Sequence, residues 1–439
     1  MRPAQCSSVS TQSSPPAALA GESRAVQRAV EVLGQILTGS VDARVSVDGF
    51  LHTHLGRYGS DLVCESHKLS PISQVTAGLA LAAVIDEHDP TIGPGEDDEP
   101  PTWGSVEIGG TRLTPPQNLS AFFEAGRLAP VPLVVRITDE TIYTSNLKVY
   151  AHPRDRAHAT DVLAALVADA EGARNLYRGR AMVASVNNGL RLELTELPQV
   201  TRDNVIVPAA VWDEIDLNVA AVTVRRELMQ RLGLGVRRGI LLAGPPGVGK
   251  TVISQVIARE LLGEFTVIIV DARAGQHALA EVFKEARNFG PTLIILEDVD
   301  LIVESRYAGP SSTLSEFLAA MDTDPMAPIL TMASTNDVAT LDVAAVRSAR
   351  FDSIIEVGQP DTDAAAEILA RYLDGIPGAE NVNPTAVAAR FPSNMSGADI
   401  REVVRRTVLS GVGTVCTDDL VATVQSGRFK PTMPVGNYL

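Results

Sequence analysis

Between Gly244 and Thr251 the chain reads Gly-Pro-Pro-Gly-Val-Gly-Lys-Thr, with the apolar run Ile240 to Ala243 before it and a helical stretch, Val252 to Leu262, after it. Few folds accept a strand that enters a glycine-rich turn and leaves as a helix. The glycines let successive backbone N–H groups turn inward, and the helix N-terminus adds favourable partial charge, so the turn cradles phosphate oxygens. Lys250 would reach the β- and γ-phosphates of a nucleotide, and Thr251 would offer its hydroxyl to Mg²⁺. Gly244, Pro245, Pro246, Gly247, Val248, Gly249, Lys250, Thr251 and Val252 are the candidate nucleotide contacts.

From Val205 onward, apolar runs of four or five residues alternate with helical stretches: Ile240 to Ala243, Val267 to Val270, Leu293 to Leu296, Ile329 to Ala333 and Ile354 to Val357 read as strands. Buried strands alternating with helices predict a parallel sheet in an α/β fold. Residues 363 to 425 read as a small helical lid. The run Leu293-Ile-Ile-Leu ends in Glu297, Asp298 and Asp300. Acids at the carboxyl end of a strand beside a phosphate loop stand where Mg²⁺ and an attacking water need a carboxylate. The strand Thr331-Met-Ala-Ser-Thr ends in Asn336, and Arg347 and Arg350 follow on one helical face. Spacing alone leaves a loop cap and a solvated basic turn open for these last two.

In order and spacing these motifs resemble the classical AAA ATPases over roughly half the chain. Leu341 to Asp352 is similar to the family's second region of homology, Ser396-Gly397-Ala398-Asp399 to its lid signature, and Val211-Trp-Asp-Glu-Ile215 to its adenine-side segment. The resemblance implies a P-loop NTPase sheet with a helical lid, ATP and Mg²⁺ as cofactors, and a homo-hexameric ring. It implies Ile215, Gly397 and Ala398 as further nucleotide contacts and Asn336 as the sensor of the γ-phosphate. Arg347 and Arg350 would be fingers reaching a neighbour's site. Two features depart from the pattern. The acids run Glu297 then Asp298, the reverse of the usual order, as in the subgroup of the mitochondrial Rieske-protein translocase; Glu297 would face the metal and Asp298 the water. Between Val270 and Leu279, where threading relatives carry an aromatic pore loop, the chain has Arg273, Gly275 and His277 and no aromatic residue. The ending Gly436-Asn437-Tyr438-Leu439 is similar to the tail by which bacterial proteasome-associated AAA ATPases dock on a protease ring.

Upstream, residues 1–21 read as a disordered tail and residues 22–104 as a helical region with an acidic Pro- and Gly-rich linker from Asp86 to Pro101. Helices are expected at 22–39 and Pro71 to Glu87. Residues 105–204 read as an α+β adaptor domain, with strands at Leu133 to Thr138, Asn146 to Tyr150, Met182 to Val186 and Leu190 to Leu194, and a helix at Ala157 to Ala170. Asn187-Asn188-Gly189 signals a hairpin. The ATPase subdomain is set at 205–360, the lid at 361–425 and a tail at 426–439.

Net charge is −16, from 53 acidic and 37 basic residues, which argues against a broad nucleic-acid or anionic-lipid footprint. Cys6, Cys64 and Cys416 lack CxxC spacing and read as free thiols, and no apolar run reaches the roughly 20 residues of a membrane span. A cytoplasmic location is expected. His52, His54 and His67 lack the companions of a metal site. The leading expectation is a ring ATPase that remodels, unfolds or translocates protein substrates, with the N-terminal region choosing them. An ATP-gated scaffold with little hydrolysis and a DNA-related AAA+ ATPase are the alternatives.

Overall fold

A computed structural model of the protein describes Leu33 and residues 45–108, 111–141, 144–172, 174–186, 190–271, 276–299, 325–336, 351–411 and 414–430. Two large sheets, a separate two-stranded hairpin and a helical lid account for most of them.

The N-terminal sheet is antiparallel. Its chain order is α1 (Val47–Leu55), β1 (Val63–Leu69), α2 (Pro71–His88), β2 (Thr91–Gly93), β3 (Thr102–Trp103), the hairpin β4 (Val106–Ile108) and β5 (Thr111–Leu113), β6 (Pro116–Phe123), β7 (Leu133–Thr141), β8 (Thr144–Ala151) and α3 (Arg156–Glu171). The strands lie in the order β1-β8-β7-β6-β2, with β3 also on β6. Ser70 caps α2 through a capping box with Ser73, and Pro71 opens it, both standard ways to satisfy a helix start. One face of the sheet carries Leu119, Ala121, Val135, Ile137, Leu147 and Val149, buried under Ala77, Ala80 and Leu81 of α2 and Val162 and Leu166 of α3. Phe50, Leu51 and Leu55 of α1 pack with Val134 in a separate small cluster.

The acidic stretch expected as an exposed linker is part of this domain. It supplies β2 and leads directly into β3, and Glu96 accepts from Arg136 Nη2 at 2.9 Å. Arg136 is 3% exposed and also donates to Ser120 Oγ and the Gly95 carbonyl. A buried guanidinium needs such acceptors, so the acid at 96 is drawn in to the sheet. Asp89, Asp97 and Asp98 take positive φ, which Asp tolerates better than most side chains; composition there signals tight turns, not a free segment.

The second sheet has seven strands. It is built from β9 (Ala181–Val186), β10 (Leu190–Leu194), β11 (Arg238–Ala243), β12 (Thr266–Asp271), β13 (Thr292–Glu297), β14 (Ile329–Thr335) and β15 (Ser353–Glu356), in the order β10-β9-β12-β13-β14-β11-β15. All neighbours are parallel except β9 and β10. Helices α4 (Ala209–Val222), α5 (Arg226–Arg231), α6 (Lys250–Leu261) and α7 (Gln276–Ala286) belong to it. The central runs are apolar apart from Thr331 in β14 because both faces are covered: Leu242, Leu293, Ile295 and Met332 on one side, Leu241, Ile268, Ile294 and Leu296 on the other.

Here the structure moves a boundary. Strands β9 and β10, assigned from sequence to the adaptor region, extend the nucleotide sheet, β9 pairing parallel with β12. Their alternating patterns marked a hairpin, and they do pair antiparallel in register from Leu190↔Val186; the turn 187–189 lies outside the described residues. Alternation shows which strands pair with each other, not which sheet they join. The two domains share a core where Ile72, in the first turn of α2, packs with Leu190, Val282 and Phe283.

The lid follows as α8 (Thr362–Leu373), α9 (Pro384–Ala388), α10 (Gly397–Ser410) and α11 (Thr417–Ser426), closed around Leu369, Val387, Ile400, Val403 and Leu420. Residues 1–21, the expected helix at 22–39 apart from Leu33, and residues 431–439 lie outside the described residues; Phe429, assigned from sequence to the tail, packs in the lid core.

If residues 89–103 are built into the N-terminal sheet, Arg136→Ala should cost that domain about 2–4 kcal/mol by stranding its acceptors. In a melting experiment the N-terminal transition should fall while nucleotide affinity is kept; an unchanged melt would mean that the Glu96–Arg136 pair does not hold the segment.

Candidate functional site

The phosphate loop leaves the buried end of β11, and α6 starts at Lys250 itself. Gly249 caps that helix at φ 104°, a conformation that L side chains rarely adopt. Gly247, at φ 81°, faces the lid: a Cβ there would stand 2.8 Å from Ala398 Cβ and 2.9 Å from Ser396 Oγ. The Ala398 amide donates to the Gly247 carbonyl at 3.1 Å. Helix α10 begins at that contact, its start fixed by Ser396 and Asp399 in a capping box.

Lys250 is 6% exposed. Its ammonium donates to the carbonyls of Gly244 (2.6 Å) and Pro245 (2.9 Å) and to Asn336 Oδ1 (3.0 Å). Asn336 in turn donates from Nδ2 to Asp298 Oδ1 at 3.0 Å, and the Asp298 amide donates to Ser334 Oγ at 3.2 Å. Lysine, asparagine and aspartate thus form one connected chain across the ends of β11, β14 and β13. The sheet order explains it: β14 lies between the strand that feeds the phosphate loop and the strand that ends in acids.

Of the two acids, Asp298 lines the cleft. Glu297 is still the last residue of β13, paired in register with Asp271, and half-buried. Asp298 sits just past the strand at φ 51°. Aspartate is among the few side chains that enter this left-handed region at modest cost, so the turn that swings a carboxylate toward Asn336 suits the shorter acid.

The cleft between sheet and lid measures about 740 Å³. Pro246, Gly247, Val248, Gly249, Lys250, Thr251, Val252, Gly397 and Ala398 line it as expected. Ile215 does not. It is fully buried on the inner stripe of α4 with Val211 and Val222, against Leu242 and Ile257 of the sheet and α6. The wall assigned to Val211–Ile215 is instead made by Asn204, Val205 and Ile206. The resemblance of Val-Trp-Asp-Glu-Ile misled because apolar residues four apart also make a core-facing helical stripe.

That wall is pinned by Arg202. Its guanidinium makes paired hydrogen bonds to Asp216 (2.8 and 2.6 Å) and to Glu260 (2.8 and 2.8 Å), and lies 4.9 Å from the centre of the Trp212 ring. Asp216 and then Glu260 push the guanidinium's pKa further up. The staple joins the 202–206 segment to α4 and α6 at a partly exposed surface, where its geometry matters more than its energy.

Across the cleft the lid presents Ile368, Arg371 and Tyr372 from α8 and Arg401 from α10, none of them singled out by motif. Spacing could have found them, since Arg401 lies four residues after Gly397, and Ile368, Arg371 and Tyr372 share one helical face. Arg347, Arg350, Asp300, Arg273, Tyr438 and Leu439 lie outside the described residues, as does the His277 side chain. No described helix is long and apolar enough to cross a membrane.

Residues 240–359 match the model of the ATPase family associated with various cellular activities (AAA). The chain therefore carries an AAA ATPase domain at residues 240–359. Over 199 residues it is 31% identical to the ATP-dependent zinc metalloprotease FtsH of Helicobacter pylori (strain ATCC 700392 / 26695), covering 42% of this chain and 31% of that protein. FtsH 2 of Sphaerobacter thermophilus is 34% identical over 195 residues, 42% of this chain and 30% of the relative. The proteasome-activating nucleotidase of Saccharolobus solfataricus is 29% identical over 256 residues, 55% of this chain and 62% of the relative. The chain thus spans about a third of the metalloproteases and about three-fifths of the nucleotidase.

The contact between Gly247 and α10 makes a specific demand. Gly247→Ala should push the lid from the phosphate loop and weaken binding of a fluorescent ATP analogue about tenfold or more, with little loss of thermal stability. Unchanged affinity would separate the lid from nucleotide binding.

Proposed function

We propose that the chain assembles into a homo-hexameric ring that couples ATP hydrolysis to the remodelling, unfolding or translocation of protein substrates. The observation that carries this reading is the chain Lys250–Asn336–Asp298 beneath a helical lid, within a domain of the AAA family. The relatives named for ATP-dependent proteolysis and proteasome activation support a protein substrate, and their partial coverage makes substrate and partners our own reading.

ATP enters with its phosphates along Gly244–Thr251 and its base between Asn204–Ile206 and Ile368–Tyr372. The backbone amides of the loop and the Lys250 ammonium neutralise the phosphates, and Lys250 leaves its carbonyl acceptors to do so. Thr251, Glu297 and Asp298 are oxygen donors of the hard type that Mg²⁺ takes, few in number because phosphate and water complete its shell. When bound, the ion would draw charge from the phosphate oxygens. Asp298 orients the attacking water, and Asn336, bonded to both Lys250 and Asp298, registers whether a γ-phosphate stands between them. Arg347 and Arg350 enter the neighbouring subunit's site as fingers. The N-terminal domain selects the substrate, and Tyr438-Leu439 offers a dock for a protease ring. The acidic balance favours a protein client over nucleic acid, and we place the ring in the cytoplasm.

An ATP-gated scaffold is a second reading, favoured by the Glu297-Asp298 order, because an aspartate one methylene shorter than the usual glutamate must hold its water closer.

Steady-state turnover with direct nucleotide titration tests the assignment. Lys250→Ala should abolish both binding and turnover. Arg347→Ala should keep affinity within a few-fold while turnover falls about a thousandfold or more, the scale of fingers supplied in trans. Normal turnover in the Arg347 variant would sink the trans-finger assignment, and wild-type binding without turnover would favour the scaffold.

A further inference from the structure

A helix that ends at a left-handed glycine turns the chain sharply back on itself. Helix α11 does so at Gly427, φ 65°. The residues that follow return to the lid instead of leaving it. Phe429, 5% exposed, enters the lid core, and Lys430 reaches the turn that opens α10. Its ammonium donates to the Asn394 carbonyl at 3.0 Å and lies 3.5 Å from Asp399 Oδ2. Among the described residues it is the one cation within ion-pair distance of Asp399.

Asp399 belongs to the contact between the lid and the phosphate loop. The same oxygen, Oδ2, accepts from the Ser396 amide at 2.9 Å and from Ser396 Oγ at 2.8 Å, and the Asp399 amide donates back to that hydroxyl at 3.2 Å. Ser396 Oγ is one of the atoms that a side chain at 247 would strike, and the Ala398 amide bonds the Gly247 carbonyl. Asp399 therefore puts a negative charge next to the lid residue that touches the loop. Nucleotide phosphates bring more negative charge to that loop, and a carboxylate nearby opposes them unless a cation stands beside it.

We propose that Lys430 is a positioning residue for nucleotide binding. By tying the Asn394 carbonyl to Asp399 and offsetting the Asp399 charge, it seats the start of α10 against Gly247. It acts through Asp399 and Ala398 and is not itself a lining residue of the cleft. Its side chain is 37% exposed, so the ion pair contributes little to global stability, and its effect is local to the contact. The inference concerns the cleft within one chain and does not depend on the ring.

The test is equilibrium binding of a fluorescent ATP analogue with Mg²⁺ to the full chain carrying Lys430→Met, alone and together with Gly247→Ala. Lys430→Met should weaken binding about threefold, the scale of a partly exposed ion pair, with the melting temperature nearly unchanged. Lys430→Arg, which keeps the charge and the donors, should restore wild-type affinity. With the lid already displaced by Gly247→Ala, the change at 430 should cost nothing further, because both act through one contact. The same loss in both backgrounds would make Lys430 an independent contributor and overturn the proposal. So would unchanged binding in Lys430→Met, or a loss that follows a lowered melt and that arginine does not repair. None of these outcomes bears on the ring reading, which the concentration dependence of turnover decides separately.

Discussion

The site depends on one buried ammonium. Lys250 is held under the phosphate loop with its charge out of water, and such a charge persists only where oxygen acceptors surround it. Two of those acceptors are carbonyls of the loop itself and one is the side chain of Asn336, on a different strand. The lysine therefore sets the curl of the loop and ties it to β14, and through Asn336 to Asp298. A nucleotide phosphate would compete for the same ammonium, so binding would loosen the link between loop and sensor strand. Binding and reporting on the γ-phosphate would then be one event.

The sheet makes this possible. A parallel sheet brings the carboxyl ends of β11, β13 and β14 to one edge, where side chains far apart in sequence converge. The core contributes by near-uniformity: β11 and β13 are Ile and Leu through their centres and β14 interrupts its apolar run only at Thr331, so the polar residues of the site occur at the strand ends. The lid completes the cleft through a close backbone approach that only glycine allows at 247. The Arg202 staple holds the opposite wall.

The parts of the fold and site legible in the sequence share a physical signature. A glycine-rich turn between strand and helix, and apolar runs ending in acids or asparagine, identified the α/β sheet and put Lys250, Asp298 and Asn336 on the page; the structure brings those three into contact. Ile215 was misread because a motif-like string of apolar and acidic residues is also a helix with a buried stripe. The stretch 86–101 was misread because acids, prolines and glycines mark tight turns as readily as linkers, and nothing local announces that Arg136, forty residues on, needs Glu96. The hairpin β9–β10 was visible as a pair, but its sheet is chosen by the long-range match of β9 to β12. Arg371 and Arg401 carry no signal beyond their spacing from Ile368, Tyr372 and Gly397, because a cleft-facing arginine on a lid helix otherwise looks like any solvated one.

The most direct measurement of the account is specific ATPase activity against concentration of the wild-type protein. Sites shared between neighbouring subunits predict activity per chain that rises cooperatively with concentration and then levels off as rings fill. Activity per chain that is constant down to concentrations where the protein is monomeric would contradict it, because each site would then be complete within one chain.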